Sequence, residues 1–210
     1  MSTLIIGAHG QIGQLLIQEL VKNGEPPKAM VRSAEQAEQV RRLGADPVMA
    51  DLEEPFKHAL EGCNRVVFTA GSGPNTGPDK TILVDLWGAI NAVDAAEESG
   101  IEQFVMVSSR GAEDPDAGPL KIKHYTVCKK LADDHLILSE MPYTILRPGR
   151  LTDDPATDRL TTVWPENPED QWISRQDVAR AVAYCLGRKE TLNRIYPLFH
   201  GDQPREAVLK

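Results

Sequence analysis

The chain has 210 residues and a net charge of −8, enough for one substantial core and too short for two ordinary domains. Its lysines and arginines are scattered, which argues against a nucleic-acid or anionic-membrane surface, and its apolar runs are all too short to span a membrane. Cys63, Cys128 and Cys185 are odd in number, widely spaced and form no CxxC pair, and no basic, cleavable leader opens the sequence, so a reducing cytoplasm is expected instead of a disulfide scaffold.

Leu4-Ile5-Ile6 is a short apolar run that stops at the cluster Gly7-Ala8-His9-Gly10-Gln11-Ile12-Gly13. A helix is predicted over 11–23, with Ile12, Leu15, Leu16 and Leu20 on one face. A second strand over 28–32 leads into a charged helix starting near Ser33, a third strand covers 47–51, and a short helix follows at 55–61. Residues 65–71, almost continuously apolar, read as a fourth strand buried on both faces. After a Gly- and Pro-rich loop at 72–78 come a long helix over 79–99, a fifth strand over 103–109, a helix over 124–139 and a strand over 143–147. The remainder is less regular, with a loop bearing Trp164 and Trp172, a helix over 175–186 and a last strand over 194–200. Alternating strands and helices imply an α/β fold: a doubly wound parallel sheet with helices on both faces, residues 1–210 forming one domain in which 148–210 make the substrate side. The C-terminal ends of the strands then form the ligand crevice.

The glycine cluster carries the strongest chemical signal. Gly7 permits a tight turn, Gly10 lets the backbone approach phosphate oxygens, and Gly13 lets helix and strand pack closely. The helix start at Gln11, Ile12 and Gly13 offers unpaired N–H groups and the positive end of the helix dipole to a pyrophosphate. His9 lies among these cofactor-contacting positions and reads as an exposed filler, not a base. At the end of the second strand, sites for NAD carry a carboxylate for the ribose hydroxyls, but here stand Arg32 and Ser33, with no acid before Glu35. A guanidinium beside a hydroxyl suits a 2′-phosphate, so NADP (as NADPH) is the expected cofactor, with NAD as the alternative. Asp51, next to Leu52, either accepts from the adenine amino group or caps the short helix after it. Ala70 and Gly71 either let the cofactor pass the end of the fourth strand or serve packing alone.

With these residues assembled, the chain resembles the short-chain dehydrogenase/reductase superfamily. The resemblance is to its atypical branch of small Rossmann-like NAD(P)-binding proteins, which includes the biliverdin reductase B-like and NmrA-like groups. It rests on Gly7-x-x-Gly10-x-x-Gly13, Arg32, Asp51-Leu52, Ala70-Gly71, Asp85-x-x-Gly88, Val107-Ser108-Ser109, Tyr125-x-x-x-Lys129, Arg147-Pro148-Gly149 and Gly201-Asp202-x-Pro204, which span nearly the whole chain. It implies that Tyr125 exchanges a proton with the substrate oxygen, and that Lys129 holds the nicotinamide ribose and acidifies the tyrosine. Ser109 or Ser108 would bind the same oxygen, with Ser108 and Pro148 bordering the cofactor. Tyr125 and Lys129, four apart, share a helix face; a phenol is almost wholly protonated at neutral pH, which favours the reductive direction.

Other candidates carry less. His124 and Cys128 have metal-like spacing without a third ligand, and no metal site is expected. Lys80 and Asp85 either hydrogen-bond within the crevice or belong to a polar helix face. Ser174-x-x-Asp177 reads as a helix start. The Trp164 and Trp172 loop is either a wall over the substrate or a surface irregularity anchored by two aromatics. The function read from these residues is an NADP(H)-dependent oxidoreductase that reduces a small carbonyl-like or flat conjugated molecule, with Tyr125 as proton donor. The alternatives are an NADP(H)-sensing regulator of NmrA-like type and an epimerase- or dehydratase-like enzyme; the stretch after Arg147 is short for a nucleotide-sugar lobe. A small-molecule partner is expected, with neither nucleic acid nor membrane, and both monomer and homodimer are compatible with the sequence.

Overall fold

The alternating apolar residues of the predicted strands face two separate cores, one on each side of a central sheet. The computed structural model describes residues 2–73 and 75–210; Pro74, inside the loop predicted at 72–78, lies outside them. The first half runs β1 (Thr3–Ile6), α1 (Gln11–Lys22), β2 (Lys28–Val31), α2 (Ala34–Arg42), β3 (Asp46–Met49), a 3-10 turn (Lys57–Leu60) and β4 (Arg65–Phe68). A single turn, α3 (Pro78–Lys80), continues through a π-helix (Thr81–Trp87) into α4 (Gly88–Glu98), followed by β5 (Gln103–Val107), α5 (Lys123–Leu138) and β6 (Tyr143–Pro148). The C-terminal part adds β7 (Arg150–Thr152), β8 (Arg159–Thr161), β9 (Trp172–Ser174), α6 (Arg175–Cys185), β10 (Arg194–His200), β11 (Gln203–Pro204) and α7 (Arg205–Val208).

The strands β3-β2-β1-β4-β5-β6-β10 pair in parallel in that order. The short β8 and β11 extend the β10 edge in antiparallel fashion, and β7 and β9 form a separate parallel pair. This is the doubly wound, Rossmann-like arrangement. Chain order reverses between β1 and β4, which opens a crevice at their C-terminal ends. Ile5, Val67 and Val105 point to one face, against Leu16, Ile17 and Leu20 of α1 and Val178 and Val182 of α6. Their neighbours Leu4, Ile6, Val66, Phe68, Phe104 and Met106 point to the other, against Ala89, Ala92, Val93 and Ala96 of α4 and Ala132 and Leu136 of α5. The period of two along each strand divides these residues between the faces, and the alanine stripe of α4 fits it closely against the sheet.

Local chemistry starts the helices. The Ser33 hydroxyl accepts from the Gln36 N–H at 3.2 Å at the start of α2. At α6 the Ser174 hydroxyl accepts from Asp177 N–H at 3.0 Å and donates to the Asp177 carboxylate at 2.9 Å. Caps of this kind contribute about 1 kcal/mol each.

Several predicted strands extend past the observed pairing. Residues 32, 50–51, 69–71 and 108–109 fall outside the assigned strands, although the N–H groups of Ala50, Thr69 and Ser108 still donate to the neighbouring strands, and residues 32, 50–51 and 69–71 line the crevice. The helix predicted over 79–99 contains the π-helical segment, whose wider turn accommodates the buried Asp85. Strands β7, β8, β9 and β11 were not expected, since strands of two or three residues have no period to read and exist only through distant partners. No helix among the described residues is long and apolar enough to cross a membrane.

Candidate active site

The loop between β1 and α1 is shaped by contacts that only glycine permits. Gly7 has φ +86°, and a Cβ there would lie 2.5 Å from the Ala70 nitrogen at the end of β4. A Cβ on Gly13 would collide with the Gly7 carbonyl oxygen and with Ala8. The Gly10 N–H donates to the Gly7 carbonyl at 3.0 Å, and Gly10 caps α1 without a side chain. The first turn of α1, from the exposed Gln11 through the half-buried Ile12 to the buried Gly13, therefore presents its N–H groups with no side chain in front of them. The Thr69 hydroxyl ties this turn to β4, donating to the carbonyls of Ile6 at 3.1 Å and Gly7 at 3.3 Å.

A cleft of about 360 Å³ opens at this point. Gly7, His9 and Gly10 line it from the glycine loop, and Arg32 from the end of β2. Asp51 and Leu52 border it after β3, Ala70 and Gly71 after β4. Arg32 is exposed; its backbone N–H donates to Gln36 Oε1 at 2.9 Å, and no carboxylate among the described residues pairs with its guanidinium. The Ser33 hydroxyl accepts from the Gln36 N–H in the helix cap and keeps its own proton available to donate. Asp51 Oδ1 accepts from the Glu53 N–H at 3.1 Å, so its carboxylate organises the turn after β3. His9 is exposed and its Nε2 lies 2.5 Å from Gln39 Oε1, linking the loop to α2. Lys80 bridges the mouth, donating to both oxygens of Glu53 at 2.7 and 2.8 Å. A glycine-walled turn, free helix N–H groups, a slot between strand ends and an unpaired arginine at its rim fit a dinucleotide.

Beyond the cleft, α5 carries Tyr125, Lys129 and Asp133 on successive turns of one face. Tyr125 is partly exposed in the first turn, and its hydroxyl makes no hydrogen bond among the described residues. The Lys129 side chain is 2% exposed; Nζ donates to the Val107 carbonyl at 3.1 Å and stands 4.0 Å from Oδ1 of the equally buried Asp85. The other Asp85 oxygen accepts from the Ser72 N–H at 2.9 Å, which connects the lysine to the loop after β4. Asp133 is fully buried and accepts at 2.9 Å from both the Ser108 hydroxyl and Arg147 Nε, while its Oδ1 has no partner among the described residues. Burial pushes the Asp133 carboxyl above its usual range, opposed by Arg147, the Ser108 hydrogen bond and Lys129. Ser108 is thus engaged inward. Ser109 is partly exposed, its hydroxyl donating to the Arg110 carbonyl at 3.0 Å. Pro148 is buried, its carbonyl accepting from the Arg110 N–H at 3.0 Å.

The loop bearing Trp164 and Trp172 is held in place. Arg110 donates to the Gln171 side chain at 2.9 Å, Trp164 meets Phe199 edge-on and Trp172 stacks on His200 at 4.4 Å. Among the described residues no cluster of three or more His, Cys, Asp or Glu is arranged for a metal ion.

A sequence profile described as NAD(P)H-binding matches residues 7–189. The chain belongs to this NAD(P)H-binding family. It is 42% identical over 214 residues to an uncharacterised sugar epimerase, YhfK, of Bacillus subtilis (strain 168), covering 100% of this chain and 99% of the relative. A Bacillus halodurans structure provisionally named an NAD-dependent epimerase/dehydratase superposes with a TM-score of 0.95 at 45% identity, covering 100% of this chain and 98% of that one. ChuY, an anaerobilin reductase of Escherichia coli O157:H7, shares the fold alone, with a TM-score of 0.78 at 22% identity over 97% of this chain and 98% of its own. The protein therefore binds a nicotinamide cofactor and is oxidoreductase-like in kind.

Three site features escaped the sequence reading: the Asp133 and Arg147 ion pair, the Glu53 and Lys80 bridge, and the Thr69 tie. Asp133 was findable, since it stands four residues beyond Lys129 and eight beyond Tyr125, on the same face of one helix. The other two join residues far apart in the chain and leave no local pattern.

Proposed function

We propose that the protein is an NADPH-dependent reductase of a small carbonyl-like or flat conjugated substrate, with Tyr125 donating the proton to the substrate oxygen. The observation that carries this reading is the stacking of Tyr125 above a buried Lys129 at the C-terminal end of β5, with the phenol hydroxyl free. Bound NADPH supplies the hydride. The protonated phenol is the acid that reduction needs, and Lys129, fixed against Val107, keeps a positive charge one turn below it. Asp85 stands 4.0 Å from that ammonium. Ser109, two residues beyond β5, would bind the same oxygen by turning its hydroxyl away from the Arg110 carbonyl, to which it donates at 3.0 Å. Arg32 at the cleft rim supplies the cation for a 2′-phosphate, the Gly7 to Gly13 turn holds the pyrophosphate, and Asp51 and Ala70 border the adenosine. The three free thiols suit a reducing cytoplasm.

The test is NADPH oxidation followed by absorbance with a panel of aldehydes, ketones, quinones and flavins. Tyr125→Phe should lower kcat by about 10²- to 10⁴-fold and leave NADPH affinity within twofold. Full activity in that variant would exclude Tyr125 as the acid.

Epimerisation is the second reading, favoured by the names given to the relatives at 42% and 45% identity. An epimerase returns the hydride to the same molecule, so it would interconvert substrate stereoisomers with no net oxidation of NADPH, whereas a reductase consumes one NADPH per turnover.

A further inference from the structure

Gln36, the third residue of α2, borders the dinucleotide cleft together with Arg32, His9 and Gly10. Its backbone N–H donates to the Ser33 hydroxyl at 3.2 Å, and its side-chain Oε1 accepts from the Arg32 N–H at 2.9 Å. The two bonds make a variant of the capping box, in which a glutamine of the first turn reaches back to the backbone ahead of its helix.

That back-bond decides which way the amide faces. A backbone N–H bonds only to an acceptor, so the amide oxygen is turned to Arg32 and the NH2 group is left free. Nε2 makes no hydrogen bond among the described residues. Its neighbours at this rim are donors as well: the Arg32 guanidinium faces no carboxylate among the described residues, and the Ser33 hydroxyl keeps a proton to give. A phosphate dianion, whose oxygens only accept, complements such a set. A ribose hydroxyl needs an acceptor for its own proton, and the amide oxygen is turned away from it. The rim is also held in place, because His9 Nε2 meets Gln39 Oε1 at 2.5 Å and ties the glycine loop to the second turn of α2.

We propose that Gln36 is a specificity-determining residue of the cofactor site: its amide NH2 donates to the 2′-phosphate beside Arg32 and so selects NADPH over NADH. This role rests on the NADPH reading above and is independent of the chemistry at Tyr125.

Titration calorimetry with NADPH and NADH, on the full-length protein and two variants, tests it. Gln36→Glu keeps an oxygen for the Arg32 N–H, and with it the cap, but turns a carboxylate oxygen to the rim in place of the donor. It should weaken NADPH by about a hundredfold and bind NADH at least as tightly as the parent, since a carboxylate accepts from the ribose 2′-hydroxyl. Its thermal midpoint should stay within about 2 °C of the parent, which separates lost affinity from a lost helix start. Gln36→Met removes the donor without adding charge, and should weaken NADPH by about tenfold and NADH by less than about twofold. A parent protein without preference for NADPH removes the 2′-phosphate reading and the role of Gln36 with it. A parent that prefers NADPH, with both variants keeping its ratio of affinities, overturns the role of Gln36 alone and leaves Arg32 as the determinant. A ratio changed by Gln36→Glu but not by Gln36→Met would report only the introduced charge, and overturns it too.

Discussion

The Lys129 ammonium donates to the carbonyl oxygen of Val107 at 3.1 Å, so the cation under Tyr125 is fixed to the last residue of β5 instead of being solvated. Lys129 and Asp85 are each 2% exposed, which makes them a buried pair. Removing one partner of such a pair leaves an uncompensated charge, at a cost of about 3–5 kcal/mol. Lys129→Met should lose that much in urea unfolding, and adding Asp85→Asn should restore at least half of it. Additive losses in the double-mutant cycle would mean that the two charges do not act as a pair.

Arg32 has no carboxylate partner among the described residues, so its charge is available at the cleft rim. A charge-assisted hydrogen bond to a 2′-phosphate contributes about 1.5–3 kcal/mol, or roughly ten- to a hundredfold in affinity. Arg32→Ala should weaken NADPH by that factor and NADH by less than twofold, measured by titration calorimetry. Equal losses for the two cofactors would remove the 2′-phosphate assignment.

Gly7 and Gly24 both have positive φ, +86° and +79°, but only a Cβ at Gly7 meets backbone, 2.5 Å from the Ala70 nitrogen; nothing lies within 4 Å of one at Gly24. Gly24→Ala should cost about 1–2 kcal/mol from backbone conformation alone. Gly7→Ala should cost a further 1–3 kcal/mol or so from the clash and reduce NADPH binding at least tenfold. Thermal unfolding and calorimetry on the two variants separate the terms.

Burial pushes the Cys185 thiol up to about 12 from an ordinary value of 9.0. Its folded pKa thus exceeds the unfolded one, so the contribution to stability is complete below pH 9.0 and is lost as pH rises towards about 12. At pH 8 an aromatic disulfide reagent should modify the half-buried Cys63 first and reach Cys185 only on unfolding. Between pH 9 and 12, Cys185→Ala should lose less stability than the parent protein.

That Gly7, Gly10 and Arg32 would border one cleft was legible in the sequence because their placement is local. Gly7, Gly10 and Gly13 stand within one turn and the helix it starts, Arg32 and Ser33 directly follow a strand, and each acts through its own backbone position. The parallel sheet followed from the alternation of apolar runs with amphipathic stretches. The long helix before β5 was legible as a helix, but its π-helical segment was not, because no local residue pattern marks it.

Ser108 shows where sequence reasoning stops. In sequence it is as plausible a crevice residue as Ser109; in the structure its hydroxyl donates at 2.9 Å to Asp133, which also takes Arg147. Residue order alone determined the fold class, the glycine turn and the helix face shared by Tyr125 and Lys129, since each is set by neighbours within a few positions. Tertiary structure alone decided that Lys129 meets Asp85 and Val107. Those contacts join residues far apart in the chain, and only the packing of helices on a shared sheet brings their charges within reach.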